Sequence, residues 1–128
     1  MKQIILDTNF LLIPIQFKVD IFSEIDRLIS EPYKLCIIDS TLDELNKIKE
    51  TASGKDKNAA NLAIQLLKAK NVHTITTSKD KNVDNLIVEL AESPEYLVAT
   101  QDKELKQRLK ANKIKIIILK QKKYLEIT

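Results

Sequence analysis

Four carboxylates in this chain stand where apolar, strand-like runs give way to helical spacing. Asp7 directly follows the run Gln3 to Leu6, and Glu44 lies in the first turns of the helical segment after Leu35 to Ile38. Asp84 begins the segment after Val72 to Ile75, and Asp102 begins the one after Tyr96 to Ala99. In an open parallel sheet all four junctions share the edge where ligands bind, outside the carboxyl ends of the strands. Carboxylates brought to about 5 Å repel by roughly 3 kcal/mol per pair at an effective dielectric near 20. A convergent set therefore calls for a cation, and oxygen donors without His or Cys select Mg2+ or Mn2+ over zinc. Such a cation lowers the pKa of a bound water, stabilises charge on a phosphate and orients in-line attack, which is metal-assisted phosphodiester hydrolysis. Taken singly, each acid has a plainer use in a helical first turn, near the positive end of the dipole and unpaired amides. Thr41 and Glu44 even have the spacing of a capping box. Asp7 suits that use least, because Thr8 and Asn9 lead into the apolar stretch Phe10 to Ile13 rather than a long polar helix.

The elements that must position these acids alternate along the chain. Beside the four runs above, Ile114 to Leu119 reads as a fifth buried strand. Helical spacing joins Ile21, Ile25, Leu28 and Ile29, then Leu42, Leu45 and Ile48, then Leu62, Ile64 and Leu67. It returns in Leu86, Ile87 and Leu90 and in Leu105 and Leu109. Continuous apolar strands separated by helices imply strands buried on both faces, so the expected fold is α/β, a three-layer sandwich with a five-stranded parallel sheet. The chain length of 128 residues suits one domain over 1–128. The polar stretch Glu50 to Asn58, with Ser53-Gly54-Lys55-Asp56-Lys57, is expected to be a surface loop between two helices.

Composition removes several other chemistries. The one cysteine, Cys36, sits in the apolar run Leu35 to Ile38 and reads as a small core residue. The one histidine, His73, has no second His or Cys nearby, so neither a zinc site nor a histidine-based triad can be assembled. A single glycine, Gly54, excludes a glycine-rich phosphate loop. No apolar run is long enough to cross a bilayer, and Met1-Lys2-Gln3 passes straight into the first strand, so a cytoplasmic protein without a membrane partner is expected. The net charge of +3 is slight, but Lys and Arg crowd the last third, from Lys103 to Lys123. The six aromatic residues are scattered and suggest no base-stacking platform.

Ile5-Leu6-Asp7-Thr8-Asn9-Phe10-Leu11 resembles the opening motif of PIN-domain nucleases, and the rest follows in order. Leu42-Asp43-Glu44-Leu45 resembles the second motif, Val83-Asp84-Asn85-Leu86-Ile87 the third, and Leu97 through Leu105 the fourth. The likeness extends to Gly54 through Ala60 and to the closing Gln121-Lys122-Lys123-Tyr124-Leu125. It is nearest the archaeal and eukaryotic branch associated with small-subunit ribosomal RNA processing, and similar at longer range to the toxin ribonucleases of toxin-antitoxin pairs. The resemblance implies a PIN-like sandwich, a metal-dependent endoribonuclease, and Asp7, Glu44, Asp84 and Asp102 as metal-holding catalytic acids. It also implies that Thr8, Asn9 and Thr100 orient those carboxylates or the attacking water, with Glu104 a further candidate acid. Asn85 and Gln101 depart from the nearest branch, which commonly has Asp and Asn there, and this bears on metal geometry.

With RNA as the substrate, Lys55, Lys57, Lys103, Lys106 and Arg108 are candidates to hold the phosphate backbone beside an acidic mouth. Partners implied by the family are a pre-ribosomal particle or an antitoxin, and a second copy of the chain in a homodimer. Two other readings use the same residues: a toxin ribonuclease, and a non-catalytic module that binds RNA or a ribosome-assembly partner. Phosphotransfer enzymes and phospho-acceptor receivers also place an Asp after the first strand. The former would need an Asp at Asn9, and the latter an acceptor Asp where Thr76-Thr77-Ser78 stand.

Overall fold

In the computed structural model, which describes residues 1–128, the five apolar runs become parallel strands. They are β1 (Lys2–Leu6), β2 (Tyr33–Ile38), β3 (His73–Ile75), β4 (Tyr96–Ala99) and β5 (Ile116–Lys120). A further strand, β6 (Tyr124–Ile127), runs antiparallel to β5, and the sheet order is β3-β2-β1-β4-β5-β6. The expected α/β sandwich is correct, with six strands instead of five. β6 has little apolar patterning of its own, since only Leu125 is buried within it.

Strand periodicity divides the interior into two cores, one on each face. Ile4, Leu6, Ile37, Leu97, Ala99 and Ile117 face α1 (Thr8–Leu11), α2 (Ile13–Phe17), α3 (Ile21–Leu28) and α5 (Gly54–Ala69), together with Leu45 of α4 (Asp39–Thr51). Ile5, Ile38, Val98 and Ile116 face α6 (Val83–Leu90) and α7 (Lys103–Ala111), where Leu86, Ile87, Leu105 and Leu109 cover them. Cys36 is buried in β2, as its apolar setting implies. No helix is long and apolar enough to cross a membrane.

Two local expectations are corrected. The stretch Glu50 to Asn58 is almost wholly helical, for α4 ends at Thr51 and α5 starts at Gly54. The two-residue connection works because Gly54 takes φ +61 in open space, so backbone conformation rather than crowding selects glycine there. Lys55, Asp56, Lys57 and Asn58 are exposed residues of the first turns, while Ala59, Ala60, Ala63 and Leu67 form the buried stripe. The capping box at Thr41 and Glu44 does not form, because α4 already starts at Asp39 and the Thr41 hydroxyl is buried without a hydrogen-bond partner. Asp39 instead receives the Thr77 amide and hydroxyl, tying the segment after β3 to the start of α4.

At the far edge of the sheet, α3 lies against β6. The Leu125 amide donates to Glu24 Oε1 at 2.9 Å, and Arg27 Nη2 donates to the Leu125 carbonyl at 3.0 Å. Glu24 and Arg27 are themselves joined by two hydrogen bonds of 3.1 Å.

Candidate active site at the carboxyl end of the sheet

The chain runs outward from β1 through β2 to β3, then returns to β4 on the other side of β1. The carboxyl ends of β1 and β4 therefore flank the point where strand order reverses, the position at which open α/β sheets form a crevice. An open cleft of about 390 Å³ lies there, lined by Asp7, Glu44, Asp84 and Asp102 together with Thr8 and Asn9. Three larger clefts, about 750, 590 and 510 Å³, lie near Tyr33, Pro94 and Tyr96 at the amino ends of the strands, and each is lined by both acidic and basic side chains.

Asp7 terminates β1 and caps α1. It is 6% exposed, and both its oxygens are engaged: Oδ1 accepts the Thr8 amide at 2.9 Å and Oδ2 accepts the Thr100 hydroxyl at 2.7 Å. Thr100, fully buried after β4, also accepts the Asp102 amide at 3.0 Å, so one hydroxyl links the two central strand ends. Asn9 Oδ1 receives the Gln101 amide at 3.1 Å and adds a second tie between the same loops. Asp102 caps α7, accepting the Leu105 amide through Oδ1 at 2.8 Å and leaving Oδ2 without a protein donor. Thr8, Asn9 and Thr100, the residues expected to orient the acids, therefore all stand beside them.

Glu44 and Asp84 are held by helices rather than by hydrogen bonds to their carboxylates. Glu44 projects from the second turn of α4 and stays largely exposed. Asp84 sits in the first turn of α6, whose cap is Asn82; the Asn82 side chain accepts the Asp84 and Asn85 amides at 2.8 and 3.4 Å. The Thr8 hydroxyl is buried without a hydrogen-bond partner, yet its dipole favours the charged form of Glu44.

Electrostatics mark the convergence. Burial is the main cause that raises the pKa of Asp7 above the usual carboxylate value; hydrogen bonds from Thr100 and Thr8 oppose it, and the charges of Asp84 and Asp102 add to it. Glu44 is raised first by desolvation and then by Asp7, with Asp84 adding a smaller push. Asp84 is raised by desolvation and by Asp102, while Arg108 pulls the other way. Glu104 does not line the cleft, but its charge reaches Asp84.

The basic candidates are not brought together. Lys55 and Lys57 lie exposed at the start of α5, outside the cleft lining, and Lys103 and Lys106 lie on α7 without ion pairs. Arg108 donates to Asn85 Oδ1 at 2.8 Å, which places the guanidinium on the α6 side of the acids.

Residues 4–122 match the family described as PIN like domain, which is almost the entire chain. The chain belongs to the PIN-like domain family. Ribonuclease VapC4 of Methanocaldococcus jannaschii is 33% identical over 99% of this chain and 97% of its own length. The PIN domain endonuclease Utp24 superposes with a TM-score of 0.80 at 27% identity, covering 98% of this chain and 90% of that one. VapBC-1 from nontypeable Haemophilus influenzae shares the fold at 17% identity, with a TM-score of 0.59 over 85% of this chain and 93% of its own. The PIN-like fold thus places the four acids around one opening, as their order along the chain implies. Asn82 escaped the sequence reading, although an Asn two residues before the first acid of an amphipathic segment is a recognisable cap signal.

Proposed function

We propose that this PIN-like domain is a divalent-metal-dependent endoribonuclease, with Asp7, Glu44, Asp84 and Asp102 as its catalytic acids. The observation that carries this reading is the gathering of those carboxylates around one cleft, with three of them raised in pKa by burial and by one another. Uncompensated, that arrangement is unfavourable, and a cation relieves it. The donor set is all oxygen, which fits Mg2+ or Mn2+. No three acidic, imidazole or thiol side chains stand close enough to enclose an ion by themselves. An Mg2+ ion needs only one or two carboxylates directly, the rest of its shell being water. When bound, such a cation supplies positive charge against the phosphodiester and makes a coordinated water more acidic.

The chain's own residues do the remaining work. Thr100 fixes the Asp7 carboxylate and, through the Asp102 amide, the start of α7 in one hydrogen-bonded unit. The second oxygen of Asp102 and the carboxylates of Glu44 and Asp84 are then free to face the cleft. Arg108, oriented by Asn85, provides positive charge toward a phosphate on the α6 side. RNA as substrate is supported by the name of the relative at 33% identity, a ribonuclease, and endonucleolytic cutting by that of the similar structure at 27%.

The ribosomal RNA processing setting rests on the sequence resemblance to that branch of the family, and the likeness to the endonuclease Utp24 spans 98% of this chain and 90% of that one. A toxin setting with an antitoxin partner is the second reading, favoured by the VapC4 relative and the VapBC-1 fold. The test is incubation of single-stranded and structured RNA with the parent, Asp7→Asn and Asp102→Asn chains, each with Mn2+, Mg2+ or EDTA. Internal cutting that needs metal and is lost in both variants is the expected result. Cutting that persists in EDTA, or in both variants, would remove the assignment.

A further inference from the structure

The turn between β5 and β6 is the one place where two consecutive residues other than glycine have left-handed backbone: Gln121 at φ 53 and Lys122 at φ 57. Lys123 N donates to Lys120 O at 3.0 Å, and the ladder resumes with Lys120 opposite Tyr124, so the loop is Gln121 to Lys123 and its first two residues both take a backbone that side chains other than glycine disfavour. Gln and Lys are poor choices there for folding alone. Backbone held in such regions concentrates where the side chains serve a purpose. Here it places Lys120, Lys122 and Lys123 on one exposed tip, and none of them forms an ion pair. Directly across the ladder from Lys120 is Tyr124, at 36% exposure the one exposed aromatic ring of the chain.

The tip lies at the same end of the sheet as the acids. β5 is parallel to β4, with Ala99 level with Ile117, so Lys120 stands as far along its strand as Asp102 does beyond β4. One strand separates β5 from β1, a distance of about 10 Å at ordinary strand spacing. An acidic mouth repels a phosphate backbone, so substrate needs cations that lie beside the carboxylates and are not neutralised by them. Unpaired lysines with an exposed aromatic ring are the combination that holds single-stranded nucleic acid, the cations following phosphates and the ring stacking on a base.

From this juxtaposition we infer that the β5–β6 hairpin tip, Lys120, Lys122, Lys123 and Tyr124, is a binding site for single-stranded RNA that feeds the neighbouring cleft. The inference rests on the ribonuclease reading above and adds the surface that grips the substrate.

The test is the affinity of the full chain, carrying Asp7→Asn so that RNA stays intact, for a fluorescent single-stranded RNA across a series of salt concentrations. Replacing Lys120 and Lys123 with Ser is expected to weaken binding at least tenfold at low salt. It should also flatten the slope of log affinity against log salt by about 0.7 for each phosphate no longer neutralised. Replacing Lys34 and Lys115 with Ser, which removes the same charge at the opposite end of the sheet, should leave the slope unchanged. Tyr124→Leu is expected to weaken binding about tenfold without altering the slope. Lys122→Gly separates binding from folding, because relief of the left-handed strain should raise the melting temperature while the affinity falls.

Equal losses from the two lysine pairs, or no loss from the hairpin variants, would overturn the inference while leaving the ribonuclease reading to the cleavage assay. Failure of the parent chain to bind any RNA, together with absence of cutting, would overturn both.

Discussion

Asp7 and Glu44 open on the same cleft and are held in opposite ways. Asp7 is buried at the meeting of the two central strands, and both its oxygens are fixed by donors from Thr8 and Thr100. Glu44 stands exposed on a helix, and a buried hydroxyl nearby is its main polar support. Asp102 belongs with Asp7, since its amide binds the same Thr100, and Asp84 belongs with Glu44, since only the cap of its helix positions it. The site thus has a rigid half built into the sheet and an adjustable half carried by α4 and α6. An acidic cleft of this kind can fix charge against the sheet and still adapt to a substrate from the helical side.

This contrast can be broken or sharpened by measurement. The largest effect is expected at the rigid half: Asp7→Asn should keep the fold, as judged by circular dichroism, and lower RNA cleavage by roughly 10³-fold, the scale of losing one fixed electrostatic group in an active site. Glu44→Gln should lower it less, and equal losses at the two positions would erase the distinction. Next in size, Mn2+ at a hundredfold over its dissociation constant should stabilise the parent by about 2.7 kcal/mol. An unchanged melting temperature would count against metal binding at these acids, and Asp7→Asn should lose most of the gain.

Thr100→Val should destabilise the chain by about 2 kcal/mol, because it leaves a buried Asp7 oxygen and the Asp102 amide without partners. Denaturant unfolding measures this, and a loss under about 0.5 kcal/mol would show that the hydroxyl is not the link between the two strand ends. The smallest effect concerns pH in the absence of metal. The folded state binds the Asp7 proton more tightly than the unfolded state does. The folded chain therefore holds more protons between the ordinary carboxylate pKa and the raised one, and stability falls as pH rises through that window. Asp7→Asn removes the penalty, so in EDTA at pH 7 its melting temperature should exceed the parent's. The difference should shrink as pH drops below the usual carboxylate range. An excess that persists in acid would assign it to something other than this charge.

The five parallel strands were legible because each is a continuous apolar run, the mark of strands covered on both faces. The four acids were legible because the helices that follow those strands start near them. What the sequence concealed has physical causes. β6 buries one residue, Leu125, so its pattern is too short to separate from a basic tail. The first turns of α5 carry only exposed polar residues after Gly54, and they resemble a loop until the alanine stripe is seen to continue the same helix. Thr41 and Glu44 have the spacing of a cap, but the helix begins earlier at Asp39, whose carboxylate is drawn to Thr77 across a gap no local pattern reveals. The pairing of Arg108 with Asn85 was likewise hidden, because it joins two helices that only the tertiary fold brings together.

The clasp of Glu24 and Arg27 on Leu125 bears on how this protein behaves in a crowd. A terminal strand with bare amide and carbonyl groups invites another copy to add its own strand, and the addition can repeat without limit. Here one acid and one base act in place of that neighbour, meeting the Leu125 amide and carbonyl from within the same molecule. The opposite edge, β3, offers three residues, too short a register to hold a stranger. A sheet blunted at both ends in this way favours discrete, soluble molecules over strand-to-strand aggregation.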